Sequence, residues 1–238
     1  MVSQRQNPLA ARYAQLIMRI RHAEQQAGRS AGSVQLLAVS KTVAAERLRY
    51  AALLGQQAFG ENYLQEAVSK QASLSELDLQ WHFIGPLQSN KSRAVAEKFN
   101  WLHTLDRLKL AQRLSAQRPE QMPPLNICLQ VNISGEQSKS GLLPSELSQL
   151  AANIAELPGL QLRGLMALPA PCDNFDEQRR IFASVRKLYQ QLVDEGHPLD
   201  TLSMGMSADL EAAVAEGATI VRIGSALFGA RDHNPDNL

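Results

Sequence analysis

Thr201–Ser225, TLSMGMSADLEAAVAEGATIVRIGS, sets out the unit from which the rest of the chain is built. A β-rich run, Thr201–Met204, ends in a turn that contains Gly205. A helical pattern follows over Ala208–Glu216, and an apolar run, Thr219–Ile223, closes the unit. Two strands joined through a helix lie parallel, because the helix carries the chain back to the edge where the first strand began.

The same alternation extends over the rest of the chain. Strands are expected at Gln35–Val39, Gln57–Gly60, Trp81–Gly85, Asn100–Thr104, Asn126–Asn132 and Gln161–Ala167, each a short apolar or β-rich run. Helical periodicity separates them at Ala44–Leu54, Leu64–Leu74, Ser89–Lys98, Arg107–Ala116, Pro144–Leu157 and Phe175–Glu195. Eight strands alternating with helices over 238 residues fit a single (β/α)8 barrel. The competing dinucleotide-binding open sheet calls for Gly-x-Gly-x-x-Gly after an early strand, whereas the first strand here ends in Ser40-Lys41-Thr42. No linker or repeat divides the chain, so one domain is expected over 1–238. In it an N-terminal helix (1–30), with Leu9, Leu16, Ile17 and Ile20 on one face, packs on the barrel, and 231–238 form a polar tail.

Composition narrows the function classes. Lys+Arg (24) nearly balance Asp+Glu (23), which argues against the basic footprint of a nucleic-acid binder. The two cysteines, Cys128 and Cys172, form no Cys-x-x-Cys pair, and Cys128 reads as a buried thiol in a reducing compartment. With no signal-peptide core and no run of ~20 apolar residues, a cytoplasmic protein off the membrane is expected, as a monomer.

In a barrel of this kind, chemistry gathers where strands end. Lys41 ends the first strand. Taken alone it reads as a solvated lysine, but desolvation at such a place yields a neutral amine able to attack an aldehyde. A phosphate-loop reading of Ser40-Lys41-Thr42 fails, because Gln35 and Ser40 stand where glycines are required. Gly205 allows close backbone approach, and Ser207 is expected to cap a helix beginning at Ala208, so that its start favours an anion. Gly224 and Ser225 offer a second set of donors in the loop after the last strand, and barrels often bind phosphate with these two loops. Arg222 sits beside them. A lysine, a phosphate cradle and an arginine suit the aldehyde, phosphate and ring nitrogen of pyridoxal 5′-phosphate (PLP). An always-charged arginine at that nitrogen argues against chemistry that needs a protonated pyridine as electron sink. Asn62 is placed to reach a cofactor ring or to make a helix-start turn. His82 and His103 read as core or rim histidines, and no Cys/His/Asp cluster has metal spacing.

These residues resemble a known family. LLAVSKT (36–42), FGENYLQEA (59–67), WHFIGPLQSNKSR (81–93), SKSGL (138–142), LRGLMALPAP (162–171) and the run from Leu202 to Arg231 are similar to the pyridoxal phosphate homeostasis proteins, themselves related to the N-terminal barrel of alanine racemase. The resemblance implies a Schiff-base lysine at Lys41 and phosphate contacts around Ser207, Gly224 and Ser225. It further implies a ring-nitrogen contact from Arg222, pocket positions at Asn62 and Met204, and a secondary lysine, Lys139, in cofactor exchange. It implies binding, buffering and delivery of PLP, a vitamin B6 cofactor, to PLP-dependent apoenzymes, with no established turnover. The alternative is a small PLP-dependent amino-acid racemase; it requires a second base, for which Tyr63 and the histidines are the candidates, and the additional β-domain that supplies this base in alanine racemase is not expected here. A Schiff-base aldolase ranks behind both, since it gives Arg222 no ring nitrogen to address.

Overall fold

The computed structural model describes residues 8–133 and 140–229. Eight parallel strands close into a barrel in the order β1 to β8, with β8 pairing back to β1. The strands are β1 (Gln35–Val39), β2 (Ala58–Glu61), β3 (Gln80–Phe83), β4 (Trp101–Leu105), β5 (Leu125–Val131), β6 (Leu160–Ala167), β7 (Thr201–Ser203) and β8 (Ile220–Ile223). After the N-terminal helix α1 (Pro8–Gln26), the helices between strands are α2 (Ala45–Leu53), α3 (Leu64–Ser73), α4 (Ser92–Lys98), α5 (Leu108–Gln117), α6 (Leu147–Ala155), α7 (Phe175–Asp194) and α8 (Leu210–Ala215). A last short helix, α9 (Ser225–Phe228), follows β8.

Strand alternation sorts the side chains into two cores. Leu36, Ala38, Phe59, Phe83, Leu102, Ile127, Leu165, Val221 and Ile223 join one large cluster with the helices. Residues of opposite parity fall inside the barrel: Leu37, Ala58 and Ile220 form one small cluster, and Trp101, Cys128 and Met166 another. Between these lie buried polar groups, His82, His103, Ser203 and Arg222. Burial pushes the Cys128 thiol up to about 12, so it stays protonated, as a structural thiol does.

Two helical stretches that read as continuous begin instead with a single 3-10 turn, Ser89–Lys91 before α4 and Pro144–Glu146 before α6. One expectation is corrected: Ser207 does not cap a helix at Ala208. The Asp209 carboxylate accepts the Met206 N–H (2.5 Å), which holds 206–209 as a turn, and α8 starts at Leu210 behind it.

α1 packs against α8 and α9, and Arg19 forks onto the Glu211 carboxylate with two 2.6 Å bonds. Glu24 is fully buried and accepts the N–H groups of Gly32 (3.0 Å) and Val34 (2.7 Å) as well as the Arg21 guanidinium. Burial pushes its carboxyl upward, but these donors outweigh that and hold it below its ordinary 4.5. A carboxyl depressed in this way stabilises the fold above its unfolded pKa and loses that contribution as the pH falls through its folded value. Glu24→Gln is therefore expected to cost about 2 kcal/mol at neutral pH, by setting an amide N–H₂ against backbone donors. The gap between variant and parent should close in denaturant unfolding as the pH falls through the carboxyl's lowered folded pKa; a gap independent of pH would contradict the assignment.

Candidate functional site

Barrel closure brings the chain's first and last strand ends together. Ala38 pairs with Ile223, so the same register carried onward sets Val39 beside Gly224. A Cβ on Gly224 would stand 3.3 Å from the Val39 carbonyl oxygen, tighter than side chains ordinarily accept. Lys41, Gly224 and Ser225 consequently line one cavity, with Val39, Val43, Phe228 and Gly229. Lys41 is half-buried there, and Ser225 is exposed at the rim.

The loop after β7 completes this side. Gly205 takes φ +96°, and a Cβ on it would lie 2.5 Å from the Ala213 Cβ, so only glycine lets the turn lie on α8. Ser207 is half-buried in the turn that follows. Met204 keeps its place in sequence at this rim, yet its side chain is fully buried in the large core between barrel and helices. Asn62 follows β2, and its amide oxygen is buried without a hydrogen-bond partner among the described residues. Lys139 lies outside the described residues.

Arg222 lies inside the barrel at 6% exposure. It donates from Nη1 to the Ser203 carbonyl (2.5 Å) and Oγ (2.9 Å), and from Nη2 to the Ala167 carbonyl (2.8 Å). Those bonds tie the ends of β6, β7 and β8 and spend three of its five N–H donors. Burial lowers its pKa to about 10, which leaves a cation at neutral pH.

The hydrogen bonds continue from Ser203. Its Oγ meets His103 Nδ1 at 2.8 Å, and His103 Nε2 meets His82 Nδ1 at 2.9 Å. Both rings are fully buried and neutral: burial pushes His82 down to about 3, and burial, His82 and Arg222 together push His103 well below its ordinary 6.5. A neutral imidazole has one donor and one acceptor, so the row holds its protons in only two self-consistent ways. His82 Nε2 ends it without a partner among the described residues.

Sequence reasoning flagged these histidines only as core or rim residues, and it missed Ser203 as the link to Arg222. It also missed an ionic cluster of Glu61, Glu66 and Lys70 beside the Lys41 loop. The spacing of Glu66 and Lys70 on α3 is the ordinary pattern of a solvated helix face, so the sequence carries no signal for the burial of Lys70. No group of three His, Cys, Asp or Glu among the described residues is placed to hold a metal ion. No helix among them is long and apolar enough to cross a membrane.

A closed (β/α)8 barrel with a lysine after its first strand, an arginine on its last and glycine turns after strands seven and eight is a barrel of the alanine racemase N-terminal type. Residues 14–232 match the family model described as alanine racemase, N-terminal domain. The chain is 59% identical over 225 residues to a Pseudomonas aeruginosa protein named pyridoxal phosphate homeostasis protein, covering 94% of this chain and 96% of that one. It is 52% identical over 231 residues to an Escherichia coli protein of the same name, covering 96% and 99%. The chain belongs to the pyridoxal phosphate homeostasis branch of the alanine racemase N-terminal domain family. Among solved structures, PipY of Synechococcus elongatus with PLP bound superposes with a TM-score of 0.81 at 39% identity, over 93% of this chain and 100% of that one. Alanine racemase of Corynebacterium glutamicum superposes at 0.67 and 17% identity, over 91% of this chain and 61% of that one, a likeness of fold alone.

Proposed function

We propose that this chain is a cytoplasmic, monomeric PLP homeostasis protein that holds the cofactor reversibly on Lys41 and yields it to PLP-dependent apoenzymes. The observation that carries the reading is the single cavity shared by Lys41, Gly224 and Ser225. It sets an amine and a glycine–serine turn within the span of one small molecule. The polar groups nearby suit the same ligand: Arg222 has two unspent N–H donors among the described residues, and the buried Asn62 oxygen has no partner. When bound, PLP supplies an aldehyde for imine formation and a phosphate for the loops. In this reading Ser207, Gly224 and Ser225 hold the phosphate, Arg222 faces the ring nitrogen, and Asn62, with the backbone of Met204, belongs to the pocket wall. Lys139 takes the secondary role in exchange.

The carrier reading is favoured over a racemase by the fate of the second-base candidates. His82 and His103 are buried, neutral and hydrogen-bonded to each other and to Ser203. Tyr63 stands 56% exposed on the rim. Relatives at 52–59% identity are named for homeostasis.

The test is an absorbance spectrum of purified protein loaded with PLP, before and after borohydride, followed by peptide mapping and an amino-acid racemisation assay. A visible band, a pyridoxyl group fixed on Lys41 and no racemisation are expected. Efficient racemisation would move the protein to the enzyme class, and the absence of a reduced adduct on Lys41, even with PLP added, would overturn the site.

A further inference from the structure

Lys41 sits between two residues whose main chain is gripped by one ionic cluster, buried at Glu61 and Lys70 and partly exposed at Glu66. On its N-terminal side, Lys70 Nζ donates to the Ser40 carbonyl at 2.6 Å, and Ser40 Oγ donates to Glu61 Oε1 at 2.6 Å. On its C-terminal side, the Thr42 N–H donates to Glu66 Oε1 at 2.6 Å. Lys70 Nζ closes the cluster, donating to Glu61 Oε1 (2.7 Å) and Glu66 Oε1 (2.5 Å). Lys70 and Glu61 are almost wholly buried, at 7% and 0% side-chain exposure.

The local backbone explains why a grip is needed. Thr42 adopts φ +64°, and it is the one non-glycine residue with positive φ among the described residues. A β-branched residue disfavours that region, so left alone the segment relaxes toward extended or right-handed helical backbone. Such a change at Thr42 re-aims the preceding peptide and with it the Lys41 side chain. Sheet pairing reaches only to Ser40, whose N–H donates to the Gly60 carbonyl at 2.9 Å, and a 3.0 Å bond from the Val43 N–H to the Ser40 carbonyl spans the turn, but neither takes up the Thr42 N–H.

We propose that Glu66 and Lys70, backed by Glu61, are positioning residues that lock the Ser40–Thr42 turn and so aim the Lys41 amine into the cavity it shares with Gly224 and Ser225. The proposal rests on the reading of Lys41 as the PLP lysine. Glu66 and Lys70 reach the segment through the backbone of the residues on either side of Lys41, so their effect falls on imine formation and spares the contacts that hold the phosphate and ring.

Two ligands separate these contributions. Pyridoxine 5′-phosphate has the ring and phosphate of PLP but no aldehyde, and it therefore reports the non-covalent contacts alone. Glu66→Ala removes the Thr42 acceptor from a side chain 27% exposed, and it leaves Lys70 paired with Glu61. This variant is expected to lower apparent PLP affinity and the yield of borohydride-fixed pyridoxyl-Lys41 at sub-saturating PLP by about tenfold, the scale of one charge-assisted hydrogen bond. Its affinity for pyridoxine 5′-phosphate should stay within about twofold of the parent's. Glu66→Gln keeps a carbonyl oxygen for Thr42 and should restore most of the adduct. If Glu66→Ala weakens both ligands equally, or changes neither, or if Glu66→Gln fails to rescue, the positioning role is overturned. A parent protein with no pyridoxyl-Lys41 overturns the underlying reading and this inference with it, whereas a labelled parent and an equally labelled Glu66→Ala variant overturn the inference alone.

Discussion

Lys41→Ala is expected to abolish the visible absorbance of PLP-loaded protein and the pyridoxyl peptide recovered after borohydride, while the barrel still folds. Lys41 is half-buried in a loop beyond the end of β1, so its truncation should cost under about 1 kcal/mol of cofactor-free stability. The cost falls on binding. An amine held against the aldehyde by the rest of the site reacts at high effective concentration, and losing it should weaken PLP binding by at least about 100-fold. Ligand linkage turns this into a thermal signal: at saturating PLP the variant forgoes about 2.7 kcal/mol of stabilisation that the parent enjoys. For a chain of 238 residues that is roughly 5–10 °C in the cofactor-dependent rise in Tm. The check is a thermal-shift titration of both proteins with PLP and with pyridoxine 5′-phosphate. A variant that keeps the full PLP-dependent rise would refute Lys41 as the attachment point.

Arg222→Met is expected to act first on the fold. The guanidinium serves three buried acceptors, the carbonyls of Ser203 and Ala167 and the Ser203 hydroxyl. Acceptors left bare cost about 1–3 kcal/mol each, and together these outweigh the opposing effect. That effect is relief of a desolvated cation: burial lowers the Arg222 pKa from 12.5 to about 10, equivalent to roughly 3 kcal/mol. The net loss should be about 3 kcal/mol, or roughly 6–12 °C in Tm of the cofactor-free protein. The same variant removes the donor assigned to the ring nitrogen, so PLP affinity should drop about tenfold as well. Scanning calorimetry without ligand and a PLP titration read the two effects separately. A cofactor-free Tm within about 2 °C of the parent's would show that the acceptors find water or other partners.

Which parts of this site were legible follows from how far apart their determinants lie. β1 was read as Gln35–Val39 and forms over those residues, and the other strands shift by a few residues at most, because an apolar run bounded by turn residues is a local signal. Lys41, Asn62, Gly205 and Gly224 were placed at strand ends by the same local reading. The start of α8 was misplaced by two residues, since the Asp209 carboxylate competes for a backbone N–H and postpones the helix. The row from Arg222 to His82 was not legible at all. His103 and Ser203 meet at 2.8 Å across a sequence separation of 100 residues, and nothing near either residue specifies the other.

The order of elements, the count of strands and the rim on which the chemistry gathers are all local properties of the chain. Each of these depends on periodicity and turn chemistry within about ten residues, where side-chain direction is set by the backbone. The tertiary structure alone decided what those residues face. Pairing of Ala38 with Ile223 puts Lys41 and Ser225 on one cavity although 184 positions separate them in the chain. Barrel closure likewise takes Glu61, Lys70, His82 and His103 out of water. The histidines' charge state then follows from desolvation, and the hydrogen-bond partners of all four depend on neighbours supplied by other elements, which periodicity in one segment does not encode.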